Sequence, residues 1–396
     1  MTVWDALVGQ DDAVRELRQA ARAAVDVVAG RAVPAGAVAH AWLFTGPPGS
    51  GRSVAARALA AALQCERVDD PGCGECPACH TVLVGTHPDV RLVAPEGLSI
   101  SVGETREIVQ RAARLPFSGH WQVVIIEDAD RMGERASNAL LKAIEEPSAR
   151  TVFLLCTPSA HPDDIPGTIR SRCRSVVLRT PPAEAVTAVL AAEGVDAATA
   201  AWAAAAGQGH VGVSRRLARD PDAQQRRAAV LAIPASLTSI GACMRAADHL
   251  VSAARAEAAA RSAELDAAET EAMQNALGMG ATGKGVATAT RRGAAVLKDL
   301  EKRQKSRATR TVRDELDRAL VDLAAFYRDV LLEQAGSPVG RAHPDLAADE
   351  RAVAARVSAA GALRRLDAVL ACREALELNV KPEIAVAALT ARLRLP

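Results

Sequence analysis

Two things are nearly missing from this 396-residue sequence: a net charge and any long apolar run. With 48 basic residues against 47 acidic ones the chain carries +1, so no overall field draws it onto nucleic acid or an acidic membrane surface. Any nucleic-acid contact has to be a local patch. The alanine-rich stretches are broken by charge at helical spacing, which marks helices of a folded protein and leaves no membrane-spanning segment. The opening MTVWDALVGQDDAVRELRQA lacks a basic start followed by an apolar core, so it reads as part of the mature fold and not as a secretion signal. No repeat of fixed period runs through the chain. What is present is 49% hydrophobic residues, enough for two or three domains, since single cores seldom grow past roughly 250–300 residues.

Residues 1–180 alternate strand-like and helix-like patterns. AWLF (41–44), VRLV (90–93), VVII (123–126), VFLLC (152–156) and SVVL (175–178) are short apolar runs, and AARALAAAL (55–63), GETREIVQRAARL (103–115) and RASNALLKAIEE (135–146) between them carry helical periodicity. The alternation predicts an α/β domain with a parallel sheet covered by helices on both faces. Thr180-Pro181-Pro182 breaks the pattern. Residues 181–228 read as a small helical unit and 229–396 as a longer helical one, interrupted by the glycine- and threonine-rich GMGATGKGVATATRRG (278–293), a loop between an acidic and a basic helix whose charges can pair or simply face solvent.

Three constellations carry chemistry. Gly46-Pro47-Pro48-Gly49-Ser50-Gly51-Arg52-Ser53 has the spacing of a phosphate-cradling loop between strand and helix, with arginine in the lysine position. Backbone N–H groups there can wrap a phosphate at a helix N-terminus and Ser53 can ligate magnesium, but arginine is a planar fork and no substitute for a point charge between phosphates. Anion binding and a tight glycine turn kept for packing both stay open as readings. Gly278 to Lys284 has similar spacing, but Gly285 follows and no strand precedes it, so it reads as coincidence. Second, VVIIEDAD (123–130) places acids at a strand's carboxyl end, where open α/β sheets hold ligands. Engines of this type carry Asp then Glu; Glu127 then Asp128 is the reverse. The shorter Asp128 side chain withdraws the base by roughly 1.5 Å, a misplacement that can cost about 100-fold in rate, so weak or absent hydrolysis is expected.

Third, four of the eight cysteines, Cys65, Cys73, Cys76 and Cys79, crowd into one short segment. In a chain without a secretion signal this favours a metal over disulfides, and a reducing cytoplasm. Four thiolates close a tetrahedral shell, the structural zinc geometry, with His80 as an alternative ligand. Cys156, Cys173, Cys243 and Cys372 read as small buried hydrophobes. The loop PGCGECPACH has no aromatic residue and little basic charge, which argues against a zinc-dependent nucleic-acid module.

HAWLFTGPPGSGRS (40–53), the cysteines after the loop's helix, SNALLKAIEEPS (137–148) and IRSRC (169–173) together resemble bacterial clamp-loader subunits of the DNA polymerase III holoenzyme, members of the AAA+ superfamily. The resemblance covers residues 1 to about 220, with the rest matching only as a helical third domain. It implies an AAA+ domain (1–180) with a zinc-binding insertion (65–80), a helical lid (181–228) and a helical collar (229–396) carrying the loop 278–293 as an insertion. The family holds ATP-hydrolysing motors and a stator-like kind, delta prime. Arg52, Glu127-Asp128 and Gly212, aligned with a sensor arginine of the motors, all depart from the motor pattern and resemble delta prime. Arg215 or Arg216 in the sensor role would keep the motor alternative. The resemblance further implies that Arg172 of Ser171-Arg172-Cys173 is a finger reaching a neighbour's ATP, that Thr157 is the first sensor, and that Val8-Gly9-Gln10 lines an adenine pocket. Implied partners are the motor subunits and delta in a heteropentamer, the sliding clamp and primed DNA, with no membrane. ATP, if held at Gly46, Gly49, Gly51, Arg52 and Ser53 with magnesium, would turn over little.

Overall fold

The computed structural model describes residues 2–95, 97–276 and 286–394, the side chains of 276 and 286–295 excepted. They form two compact units, residues 1–218 and 219–396.

The first unit is built on five parallel strands, β1 (Ala41–Thr45), β2 (Val90–Val93), β3 (Gln122–Ile126), β4 (Thr151–Thr157) and β5 (Arg174–Val177), in the order β2-β3-β4-β1-β5. Every residue of β1, β3 and β4 is buried, which is why these segments read as unbroken apolar runs. Successive side chains alternate between the two faces. On one face Trp42, Phe44, Val123, Ile125 and Leu154 pack with α1 (Asp11–Val28) and α2 (Arg52–Leu63). On the other, Leu43, Val124, Ile126, Phe153 and Leu155 meet helices that follow α3 (Pro77–Val84), namely α4 (Val102–Ala112) and α5 (Glu134–Glu145). Alanines at 55, 56, 58 and 60–62 of α2 are all buried, so this helix lies close against the sheet. A reciprocal cap starts α4: Glu104 N–H donates to Ser101 Oγ at 3.2 Å and Ser101 N–H to Glu104 Oε2 at 2.7 Å. The predicted α/β class with a parallel sheet is present, each strand within a residue or so of its expected bounds. After the short α6 (Gly167–Arg170) and β5, three helices close the unit: α7 (Ala183–Ala192), α8 (Ala197–Ala206) and α9 (Val211–Arg219).

The second unit is all helical: α10 (Pro221–Leu231), the short α11 (Ile233–Ser236), α12 (Ile240–Ala276), α13 (Val286–Ala335), α14 (Ala347–Arg356), α15 (Ala359–Glu377) and α16 (Pro382–Leu393). Its core joins Leu237, Cys243, Leu250, Leu316, Leu320, Tyr327, Val369 and Val386, with the Phe326 and Tyr327 rings edge to face at 5.6 Å. The opposite charges expected on α12 and α13 do pair: Arg307 grips Asp266 and Glu269, and Gln304 Nε2 donates to the Asp266 carbonyl at 3.1 Å. Of the glycine-rich segment 278–293, residues 277–285 lie outside the described residues and the backbone is helical from Val286; the Gly278–Lys284 spacing falls there too. Among the described residues no helix is long and apolar enough to cross a membrane.

The second unit buries one carboxylate at a cost. Glu350 is fully buried beside Arg341, with Oε1 lacking any hydrogen-bond partner. Burial pushes its carboxyl up to about 7, the Arg341 guanidinium opposing and Asp329 adding to the rise. Between the unfolded value near 4.5 and the folded one, the native state binds the extra proton, so this group makes stability fall as pH rises through that window. Glu350→Gln should therefore leave stability at pH 4.5 unchanged and raise it at pH 8 by on the order of 2 kcal/mol. Denaturant titrations at the two pH values check this; an equal pH slope in both proteins would refute it.

Candidate nucleotide loop, cysteine cluster and arginine turn

The loop between β1 and α2 leaves the sheet beside β4, where the chain's strand order reverses, the place open α/β sheets use for ligands. It is braced from several sides. Gly46 N–H donates to the Pro158 carbonyl at 3.1 Å and Ser50 N–H to the Pro47 carbonyl at 3.0 Å. Gln10 is buried, and its Nε2 donates to the carbonyls of Ser50 at 3.2 Å and Arg179 at 2.6 Å while Oε1 accepts from Arg179 N–H at 3.1 Å. Gln10, which follows Val8 and Gly9, thus sits against the loop with its amide spent on backbone groups, while a Cβ on Gly9 would meet Pro182 Cδ at 3.0 Å. Gly51, left-handed at φ 94°, caps α2, so Arg52 and Ser53 open the helix. The Arg52 Nη1 and the Ser50 hydroxyl are buried without a hydrogen-bond partner.

Glu127 and Asp128 follow β3, and Thr157 ends β4 between the β1 and β3 tips. Glu127 Oε1 is held by Arg57 of α2 at 3.0 Å. Asp128 turns the chain in a left-handed conformation, φ 49°, into a single 3-10 turn, with Arg131 Nε at 3.9 Å from its carboxylate. Burial, reinforced by the Asp128 charge, pushes the Asp130 carboxyl up to about 6, while Arg131 and Arg52 pull it down. The Thr157 hydroxyl is buried and donates to the Ser159 carbonyl at 2.8 Å. Gly46, Gly49, Gly51, Arg52, Ser53, Glu127, Asp128 and Thr157 are therefore brought to one edge of the sheet. Gly212 stands in the first turn of α9, and Arg215 is committed to Glu193, Nε to Oε2 at 2.9 Å. Sequence reasoning missed Arg57 and His210, whose signals were an arginine within the alanine-rich body of α2 and a histidine beside a glycine.

The four cysteines also converge. Cys65 follows α2, Cys73 and Cys76 lie in the next turn, and Cys79 is in α3; their sulfurs all lie within 4.8 Å of one another. Cys65 and Cys73 Sγ are 3.7 Å apart, the edge of about 3.8 Å that a tetrahedron with metal–sulfur bonds of about 2.3 Å requires. Backbone N–H groups of Glu75, Cys76 and Cys79 point at the Cys73 or Cys76 sulfur at 3.4–3.5 Å, a donor set that favours thiolates. Burial opposes ionisation of Cys73, yet the Glu75 and Cys76 N–H groups with the neighbouring thiols bring it down to about 7, whereas burial pushes Cys65 and Cys79 up. The set fits a closed structural zinc site; His80 is exposed and outside the cluster. Such a metal would cross-link the loop. The N-terminus packs on it too, with Trp4 Nε1 donating to the Pro71 carbonyl at 3.2 Å and Val3 N–H to the Gly72 carbonyl at 2.9 Å. Cys156, Cys243 and Cys372 are buried and Cys173 partly so.

Ser171-Arg172-Cys173 forms the turn between α6 and β5. Arg172 is exposed, its Nη1 donating to the Thr168 carbonyl at 2.8 Å and its Nε 2.8 Å from Glu145 Oε1 at the end of α5. It is tethered but not enclosed.

A protein family described as DNA polymerase III, delta subunit, matches residues 25–182. The matched stretch, under half of the chain, is similar to that family. The delta-prime subunit of Pseudomonas aeruginosa is 43% identical over 34% of this chain and 42% of its own length, and that of Bacillus subtilis is 35% identical over 35% and 42%. The gamma/tau subunit of Mycobacterium tuberculosis is 33% identical over 40% of this chain and 28% of its own. The chain thus spans about two fifths of the length of the delta-prime relatives it matches. Among solved structures, a gamma-subunit-related protein of DNA polymerase III from Thermotoga maritima aligns over 90% of this chain and 94% of its own at 17% identity and a TM-score of 0.39.

Proposed function

We propose that this chain is the delta-prime, stator-type subunit of a DNA polymerase III clamp loader. It would be made of an AAA+ module (1–180), a lid (181–228) and a collar (229–396), and would assemble with motor and delta subunits in a cytoplasmic heteropentamer that places the sliding clamp on primed DNA. The observation that carries this reading is the state of the acidic strand beside the loop. Glu127 is already paired with Arg57 at 3.0 Å, and Arg52 stands where a motor has lysine. A carboxylate in a salt bridge is a poor ligand for magnesium and a poor base for water. The loop then serves as architecture. Any ATP would be held by Gly46, Gly49, Gly51, Arg52 and Ser53, with magnesium at Ser53, Glu127 and Asp128 at the acidic edge beside it, the adenine near Val8, Gly9 and Gln10, and Thr157 as sensor. Structural zinc would sit on Cys65, Cys73, Cys76 and Cys79, and Arg172 would be the finger offered to a neighbour's ATP.

Gamma/tau subunits also match part of this chain, at 33–39% identity, which supports a motor as the second reading. One experiment separates the two. The purified chain should co-purify with clamp-loader motor subunits and show no ATP turnover of its own. Turnover by the isolated chain that is lost on Asp128→Ala would establish the motor instead.

A further inference from the structure

The turn between α8 and α9 closes on the phosphate loop. A Cβ built on Gly49 would lie 2.6 Å from both Cβ and Cγ of His210 and 2.7 Å from its Cα. No side chain other than hydrogen fits at Gly49 while His210 is in place, so backbone of the loop and backbone of the turn touch directly. The turn is wedged on its other side as well: a Cβ on Gly209 would meet the Pro181 carbonyl oxygen at 2.8 Å. His210 is held in this pose from both helices, since its N–H donates to the carbonyl of Gly207 at the end of α8 at 2.8 Å and its Nδ1 accepts from Val213 N–H of α9 at 3.3 Å, the geometry of a helix cap. A Cβ on Gly212 would lie 3.3 Å from Cε1 and 3.5 Å from Nδ1 of His210, so a side chain there would crowd the ring.

What lies beneath the turn is equipped for an anion. The N-terminus of the twelve-residue α2 points its N–H groups and dipole toward the loop. Ser50, 2% exposed, has a hydroxyl with no hydrogen-bond partner, and the buried Nη1 of Arg52 likewise has none. Buried polar groups are ordinarily paired, and two unpaired donors at one helix start mark hydrogen bonds that the closed form leaves unmade.

We propose that His210 is a steric gate. In the closed form it occupies the position over Gly49 that a polyphosphate needs, so the loop is a latent site for a nucleoside triphosphate that opens only when the α8–α9 turn moves away. Apparent affinity then falls by the fraction of chains with the turn open. A subunit gated in this way keeps one shape whatever the nucleotide supply, which suits a brace. The inference rests on reading 46–53 as a phosphate loop and extends the stator reading, but does not depend on assembly: co-purification with motor subunits can succeed or fail whatever this gate does.

The test is isothermal calorimetry of the full chain with Mg·ATP, and with inorganic pyrophosphate as a base-free probe. His210→Gly should bind Mg·ATP at least tenfold more tightly than the parent, while His210→Phe should remain closed. Equal affinities for parent and His210→Gly, including no binding by either, overturn the proposal. Because His210→Gly also removes a helix cap and could unfold α9, Gly49→Ala provides an independent reading. Its methyl group should force the turn outward and speed hydrogen exchange at residues 207–214, an effect that largely disappears in the His210→Gly background. Additive effects of the two substitutions overturn the contact as the gate.

Discussion

Replacing Cys79 with serine should abolish the proposed zinc site and loosen the N-terminal corner of the first unit. Cys79 is fully buried and lies in α3, with Cys65, Cys73 and Cys76 around it, so the three remaining thiols would face a gap that serine's hard oxygen does not fill for zinc. Structural zinc sites contribute on the order of 10 kcal/mol in small metal-dependent folds. Here the cysteines join a core that the sheet, α1 and α2 also build, so the loss seen by the unit is smaller, about 3–5 kcal/mol, or roughly 10 °C in its melting transition. The damage should spread along identified contacts. Trp4 loses the Pro71 carbonyl and Val3 the Gly72 carbonyl once the loop moves, and the 3-10 turn Val3–Ala6 leads directly to Gln10, the staple of the phosphate loop. Metal analysis of protein purified without added metal should give about one zinc per parent chain and near none in Cys79→Ser, with a changed emission from Trp4. Cys156→Ser, a buried cysteine outside the cluster, should keep the metal. Full zinc content in Cys79→Ser, or folded parent protein with no zinc, would refute the site.

The strands were legible because a parallel strand buried on both faces is a short unbroken apolar run, as β1 and β4 are. The cysteine cluster was legible because Cys73, Cys76 and Cys79 follow one another at short spacing close behind Cys65, so the chain itself brings the four thiols together. Helix α1 escaped the strand–helix alternation because it precedes the first strand, and α3 escaped it because eight residues held by Cys76 and Pro77 at its start show no apolar period. What no local pattern revealed was which side chains the loop residues would meet. Gln10 reaches the carbonyls of Ser50 and Arg179, 40 and 169 positions away, and Glu127 meets Arg57 seventy positions back. His210 closes on Gly49 only through the fold. Positions of chemistry were visible in the sequence; their occupation by other groups of the same chain was not, because it depends on long-range packing.

Arg172→Ala should leave the isolated chain folded and reduce ATP hydrolysis by the assembled loader, at the site this subunit faces, by about 10³-fold or more. The stability cost should be small. Arg172 is exposed, its ion pair with Glu145 is a surface pair worth about 0–1 kcal/mol, and its hydrogen bond to the Thr168 carbonyl can be replaced by water. The kinetic cost is large because a guanidinium placed against the phosphoryl oxygens stabilises charge that develops only in the transition state, in a site from which water is excluded. The tether gives the second half of the prediction. Glu145 holds the guanidinium against α5, and swinging to a neighbour's phosphate means giving up that partner. Glu145→Gln should therefore keep or modestly raise hydrolysis by the complex, while Arg172→Lys should not rescue Arg172→Ala, since a point charge cannot reproduce a bidentate fork. Steady-state ATPase of the reconstituted complex with each variant decides the matter. Unchanged turnover with Arg172→Ala in a complex shown to be intact would remove Arg172 from the reaction and leave the subunit as a brace alone.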